Sequence, residues 1–169
     1  MGPGRQLPFD PIEEARRHWI AHEWEGAAEG MAAVTSVMRV EQILIARVDD
    51  VLRPFSLTFA RYETLMLLSF SRRGSLPLGK VGERLQVHPA SVTNAIDRLE
   101  AQGLVRRASH PTDGRTTLAE ITARGRKVSA EATEKLNTIV FGSLGLSDRE
   151  LKLLFDLLRK LRQASGDFA

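Results

Sequence analysis

The sequence predicts a mainly α fold in which a small α+β unit lies between two groups of longer helices. Three observations support this. Apolar residues recur at helical spacing in several long segments of the 169-residue chain. Segments 78–86 and 89–102 are two short amphipathic stretches with a tight connection between them, and 104–122 is strand-like on both sides of the polar turn PTDG. Two helices followed by a hairpin define a winged helix-turn-helix unit.

Composition limits the class of protein. The chain is 43% hydrophobic, enough to bury one compact core with extensions. No apolar run is long enough to span a bilayer, and the N-terminus lacks the pattern of a secretory signal, so we expect a cytoplasmic protein with no membrane partner. The absence of cysteine excludes disulfides, thiolate metal sites and cysteine-oxidation sensing.

Charge is unevenly distributed along the chain. The net charge of +3 is too small to indicate a partner by itself. The first 30 residues contain three basic and six acidic side chains, whereas 98–127 contains seven basic and three acidic ones. The positive charge therefore lies on the winged unit.

The N-terminal part is predicted to contain two helices. Residues 1–9 hold two glycines and two prolines, a composition that predicts a flexible arm. A helix starts after Asp10, with Pro11 in its first position, and stops near Gly26. The segment 30–54 lacks internal proline and is apolar on much of its circumference, so it predicts one long helix with more than one buried face.

Three further helices follow from the apolar spacing. One covers 58–71, immediately before the winged unit. After the winged unit, 123–140 and 146–163 are both amphipathic. Ser147 and Glu150 have the spacing of a capping box at the start of the last helix.

The outer face of the second short helix has the chemistry to bind DNA. Its inner face carries apolar residues at i, i+3, i+4 and i+7, from Val92 to Leu99. Asn94 can bond an adenine edge through both its donor and its acceptor, while Ser91 and Thr93 can contact phosphates or bases. The remaining predicted contacts of this helix are His88, Pro89, Ala90 and Arg98. The alternative is an ordinary solvated face, which the helix alone does not exclude.

The hairpin favours DNA binding over a solvated face. Gly103 ends the helix, and the strands around PTDG are predicted to turn Leu118 and Ile121 inward. The tip carries Arg115 beside Asp113, and an arginine there suits the narrow, negative minor groove of duplex DNA. The residues predicted to lie over phosphates are Lys80, Arg106 and Arg107.

The helices that flank the winged unit imply a second copy of the chain. Their apolar stripes exceed what the small unit can cover, so we expect 10–57 and 123–169 to form a homodimerisation domain around a DNA-binding domain at 58–122. Two-fold pairing suits palindromic DNA. The alternative is that the stripes pack within their own chain.

Four segments together resemble the MarR family of bacterial transcription regulators: VDDVLRPFSLT, RYETLMLL, HPASVTNAIDRLEAQGLVRR and DGRTTLAEITARG. The resemblance implies a triangular homodimer that binds a pseudo-palindromic operator, usually as a repressor, with a small-molecule pocket between its two domains. It also implies that Asp113 braces Arg115, which enters the minor groove.

Two groups of residues are candidates for an effector site. Arg39 could hold an aromatic carboxylate, and its register resembles that of an arginine that binds phenolic acids in some MarR proteins; Tyr62 and Glu63 could complete the pocket. An ion pair of Arg39 with a glutamate, or simple exposure, is the favoured alternative. Trp19 and Trp24 resemble the tryptophan of urate-sensing relatives with an extra N-terminal helix, although hydrophobic anchoring of that helix is favoured.

Other chemistries have weaker support. His18 and His22 lie one helical turn apart, with Glu14 one turn before them, but a solvated face is favoured over a metal site. The segment GSLPLGKV has P-loop spacing, yet Val81 replaces the hydroxyl that would bind magnesium. With no catalytic triad or metal signature, we predict neither an enzyme nor a cofactor. The alternatives are a winged-helix adaptor that does not bind DNA and a metal-responsive regulator.

Overall fold

The computed structural model describes residues 7–113 and 115–169, so most of the predicted arm lies outside the described residues. The helices are α1 (Pro11–Ala21), α2 (Glu25–Leu52), α3 (Phe59–Phe70), α4 (Leu78–Leu85), α5 (Pro89–Ala101), α6 (Ala123–Leu136) and α7 (Asp148–Ala164). The strands are β1 (Ser75–Pro77), β2 (Val105–Ser109) and β3 (Thr117–Ile121). This architecture confirms the predicted mainly α fold with a winged helix-turn-helix. Within the described residues, no helix is both long and apolar enough to cross a membrane.

The chain divides into two compact units, 1–50 and 51–169. In the first unit, the Asp10 side chain accepts a hydrogen bond from the Ile12 N–H (2.9 Å), and Pro11 occupies the first turn of α1 as predicted. Arg16 links the two helices of this unit, since its guanidinium lies 2.8 Å from Glu13 on α1 and 2.8 Å from Glu29 on α2. The Arg16 guanidinium lowers the pKa of Glu13 to about 2.

The predicted boundary between the first two helices is wrong. Helix α1 already ends at Ala21, and α2 starts at Glu25, so Gly26 and Gly30 lie inside α2 instead of breaking the chain. The turn is made by Glu23 in a left-handed conformation (φ 63°), without a glycine. Neither glycine has the positive φ of a helix-ending glycine, so both continue the helix.

The second unit contains a three-stranded antiparallel sheet in the order β1-β3-β2. Strands β2 and β3 form the predicted hairpin, with Val105 opposite Ile121 and Ser109 opposite Thr117. Strand β1 was not predicted, because it has only three residues and ends in Pro77. A proline is tolerated at this position because β1 lies at the edge of the sheet.

The inward face of β3 differs from the prediction. Ala119 and Ile121 are buried, at 0% and 5% exposure, whereas Leu118 is half-buried. Strand side chains alternate with a period of two, so Leu118 and Ile121 cannot share a face. The fully buried side chains of this unit include Leu65, Leu68, Val81, Ile96 and Leu99.

Helix α6 packs directly against the start of the hairpin. The Thr122 hydroxyl accepts from the Gly125 N–H (2.9 Å) and donates to the Gly103 carbonyl (2.8 Å). A Cβ atom on Gly125 would lie 2.1 Å from the backbone oxygen of Leu104. Position 125 therefore has no room for a side chain.

We expect Gly125→Ala to lower the free energy of unfolding by about 2 kcal/mol, because the added methyl collides with backbone that cannot move aside. Urea denaturation followed by circular dichroism measures this. Gly30→Ala is the matched control: its Cβ would meet nothing within 4 Å, so it should stabilise α2 by about 0.5–1 kcal/mol. Equal unfolding midpoints for the two variants would contradict the close contact.

Candidate nucleic-acid interface

Three residues, Gln86, His88 and Pro89, build the connection between α4 and α5. Gln86 adopts a left-handed conformation (φ 53°), and its N–H bonds the Gly82 carbonyl to close α4. His88 caps α5, since its Nδ1 accepts from the Ala90 N–H (3.2 Å). Pro89 takes the first helical position, where its missing N–H has no cost. The turn therefore fixes where α5 begins.

Helix α5 presents two chemically different sides. Val92, Ile96 and Leu99 are buried beneath it. Asn94 on the opposite side is exposed, and Thr93 donates to the Pro89 carbonyl (3.1 Å) within the first turn. The other exposed residues on α5 with predicted contacts are Pro89, Ala90, Ser91 and Arg98. The predicted outer face is therefore in solvent.

A groove of 540 Å³ runs between α5 and the N-terminus of α3. Ser91, Asn94 and Arg98 line it from α5, and Arg61 lines it from α3. The Arg61 Nε donates to the hydroxyl of Thr58 (3.2 Å), the residue that caps α3. Sequence reasoning missed Arg61, because the α3 pattern was used only to find core positions.

The tip of the hairpin is held by Asp113. Its Oδ1 accepts from the Arg115 backbone N–H (3.0 Å), and its Oδ2 accepts from the Thr116 hydroxyl (2.7 Å). The Thr116 hydroxyl, and then the Arg115 N–H, lower the pKa of Asp113. These contacts fix the backbone of Arg115, and its side chain is exposed.

Arg107 connects β2 to α5. Its Nη2 lies 2.5 Å from Asp97 Oδ1, its Nη1 binds Glu100 Oε2, and its backbone N–H donates to Glu100 Oε1 (3.0 Å). The bond to Asp97, supported by Glu100, raises the pKa of Arg107. The side chain is only 29% exposed. Arg107, predicted to lie over a phosphate, is thus already occupied by two carboxylates of the same chain.

The other two predicted phosphate contacts are more accessible. Arg106 lies 2.9 Å from Glu120 across the hairpin, and its side chain is 66% exposed. Lys80 lies 2.6 Å from Glu83 on α4, with both side chains exposed. Exposed pairs of this kind contribute at most about 1 kcal/mol, so a phosphate can displace the carboxylate.

The sequence profile of the MarR family matches residues 57–117. YhbI, an uncharacterised HTH-type transcriptional regulator of Bacillus subtilis (strain 168), is 30% identical over 123 residues, which are 70% of this chain and 79% of YhbI. The chain belongs to the MarR family. It is therefore a DNA-binding transcriptional regulator and not an enzyme.

Two solved structures from Streptomyces coelicolor share the MarR fold with this chain. The MarR family transcriptional regulator Sco5413 is 51% identical, with a TM-score of 0.75 over 83% of this chain and 97% of Sco5413. Sco3205, a MarR family transcriptional regulator solved in complex with DNA, is 24% identical, with a TM-score of 0.72 over 81% of this chain and 88% of the Sco3205 chain.

The residues predicted to bind an effector fall in different units of this MarR-family chain. In the first unit, Arg39 is exposed on α2 and its Nη1 donates to Gln42 Oε1 (3.2 Å). Trp19 and Trp24 pack edge to face there, with ring centroids 5.3 Å apart. Trp24 remains 54% exposed, so hydrophobic anchoring of α1 leaves part of its ring in solvent.

In the second unit, Tyr62 and Glu63 have different environments. Tyr62 is buried, and its hydroxyl lies 2.9 Å from the Thr133 hydroxyl, which connects α3 to α6. Glu63 is half-buried, and burial raises the pKa of its carboxyl. The Tyr62 ring is therefore part of the core.

The predicted histidine pair has ordinary local contacts. The Nδ1 of His22 lies 2.8 Å from the backbone oxygen of His18, as expected at the end of α1. Across residues 7–113 and 115–169, no group of three or more histidine, aspartate or glutamate side chains could hold a metal ion.

We expect Thr116→Val to raise the pKa of Asp113 toward its ordinary value, because the hydroxyl that stabilises the carboxylate is removed. A carboxylate with a lowered pKa stabilises the fold above its unfolded pKa, and this contribution is lost as pH falls through the folded pKa. Carbon-detected NMR titration of Asp113 measures the change. Thr112→Val is the control, since the Thr112 hydroxyl faces His110. The same titration curve in both variants would contradict the assignment.

Proposed function

We propose that this MarR-family protein binds a pseudo-palindromic operator as a homodimer, represses transcription there, and is released by a small aromatic acid. The observation that carries the proposal is that one small unit presents both the polar face of α5 and an exposed arginine at the hairpin tip. A helix and a hairpin of this kind suit the major groove and the adjacent minor groove. The fold shared with the DNA complex of Sco3205 supports this mode of binding.

In this proposal, α5 reads the major groove. Asn94 lies near the middle of the exposed face, where a carboxamide can bond both N6 and N7 of an adenine. Ser91 and Thr93 contact base edges or phosphates beside it. The residues assigned to the phosphate backbone are Lys80, Arg61, Arg98 and Arg106. His88, Pro89 and Ala90 lie at the start of α5 and determine how closely that end of the helix approaches the DNA.

Arg115 is assigned to the minor groove. Its backbone is held by Asp113, so the guanidinium extends from a fixed point, and a narrow minor groove attracts such a cation. Arg107 is not assigned to a phosphate, because Asp97 and Glu100 already bind its guanidinium.

Exposed apolar side chains on α7 support a homodimer. Leu154, Phe155 and Leu161 are 41%, 59% and 53% exposed, although they lie on the apolar side of an amphipathic helix. Side chains of this size are normally covered, and a second copy is the commonest cover. A two-fold dimer would place two α5 helices on half-sites about one helical turn, ~34 Å, apart.

The effector remains a prediction from the resemblance and from the cationic Arg39 on an otherwise apolar stretch of α2. An aromatic carboxylate would pair with this guanidinium, and Trp19 and Trp24 are the further candidates in the same unit. Glu63 is a candidate within the second unit. Tyr62 would act through packing, because its hydroxyl is bonded to Thr133. A bound acid that changes the spacing of the two α5 helices would lower operator affinity.

We expect Arg115→Ala to weaken binding to a duplex selected from a random pool by about tenfold, since one minor-groove contact is worth about 1–3 kcal/mol. Fluorescence anisotropy over a salt series measures affinity and its salt dependence. Arg149→Ala, on α7 outside the winged unit, removes the same charge and should have little effect. Unchanged affinity of Arg115→Ala would remove the wing from the mechanism, and an adaptor would show no salt-dependent duplex binding at all.

We expect Phe155→Glu to dissociate the dimer, because a charge placed in an apolar interface loses its hydration without a partner. Sedimentation velocity would then show the mass of one chain instead of two. Gln163→Glu adds the same charge on the polar side of α7 and should leave the mass unchanged. A dimer that survives Phe155→Glu would place the interface elsewhere.

A further inference from the structure

Arg107 and two carboxylates of α5 form a bridge between the hairpin and the recognition helix. We call Arg107, Asp97 and Glu100 the Arg107 clamp. Asp97 and Glu100 lie three residues apart, so both occupy the same side of α5. The guanidinium binds one oxygen of each, and the other oxygen of Glu100 accepts the Arg107 backbone N–H. The clamp therefore holds both the side chain and the backbone of Arg107 on β2.

The position of Asp97 needs an explanation. Its side chain is 56% exposed, on the same helix as Asn94 and Arg98, where a carboxylate would repel DNA phosphates. By itself, a negative charge at this position weakens DNA binding. The contact of Asp97 with Arg107 gives this carboxylate a structural role that accounts for its presence.

The neighbouring arginine shows the contrast. Arg106 points to the other side of β2 and pairs with Glu120 inside the hairpin, so its ion pair does not reach α5. Arg107 pairs with α5 itself and is less exposed, at 29% against 66% for Arg106. Two adjacent arginines of one strand therefore have different roles.

We propose that Arg107 is a positioning residue that acts through Arg115. The clamp fixes the angle between α5 and the hairpin, so that α5 and Arg115 meet neighbouring grooves at the same time. This inference rests on the proposed function, because it requires both elements to bind the duplex. Lys would replace Arg107 only poorly, since its compact ammonium lacks the planar fork whose two ends bind Asp97 and Glu100.

The test asks whether removing two carboxylates from α5 raises or lowers the affinity for DNA. Asp97→Asn with Glu100→Gln removes two negative charges from a surface that binds a polyanion, which by electrostatics alone raises affinity. The clamp predicts the opposite: about tenfold weaker binding to the duplex selected by the wild-type protein, and less than about twofold in an Arg115→Ala background. Anisotropy titrations of the four proteins give both values.

Glu120→Gln is the matched control. It removes one carboxylate from the Arg106 pair within the hairpin, and its affinity should be unchanged or higher in both backgrounds. Thermal unfolding by circular dichroism establishes that each variant is folded. If the double substitution does not fold, Asp97→Asn alone carries the same sign test, because Asp97 is exposed.

The outcomes separate the two proposals. Equal or tighter binding by the Asp97→Asn, Glu100→Gln protein would overturn the clamp and make Arg107 a direct phosphate contact. A loss of the same size with and without Arg115 would also overturn it. If Arg115→Ala has no effect on binding by the wild-type chain, the proposed wing contact itself fails, and the clamp fails with it.

Discussion

The candidate interface depends on the burial of one side of α5. Ile96 and Leu99 have no exposed surface and Val92 has almost none, and each contributes about 1.5–3 kcal/mol by leaving water. With 3.6 residues per turn, burying these positions forces Asn94 and Arg98 to the outside. The hydrophobic core therefore decides which residues of α5 can meet a partner.

Much of the fold follows from local signals in the sequence. Asp10 caps α1, and Ser147 with Glu150 forms the predicted capping box of α7. The spacing of apolar residues also indicates every long helix, because helical periodicity persists over several turns. The hairpin is also predictable from a local signal, because its turn residues allow few other conformations.

Three features could not be predicted from local signals in the sequence. The end of α1 depends on Glu23 adopting a conformation that no glycine signals, and β1 depends on pairing with β3, distant in the sequence. At the site, the exposure of Asn94 was predictable from helical periodicity and that of Arg115 from its place at the hairpin tip, whereas the partners of Arg107 were not predictable. A basic residue in a strand pairs with whichever carboxylate the packing brings close, and packing is a property of the whole unit.

The ion pairs of the winged unit have a consequence for how the protein searches DNA. Lys80 and Arg106 each have a carboxylate of the same chain at hydrogen-bonding distance. In the proposed mode of binding, a phosphate of any DNA must displace that internal counterion, which reduces the sequence-independent attraction. The built-in carboxylates would thus lower the affinity for every sequence alike and shorten the time spent on arbitrary DNA. The ratio between specific and non-specific affinity, which decides occupancy in a genome, would then depend on base contacts such as the one proposed for Asn94.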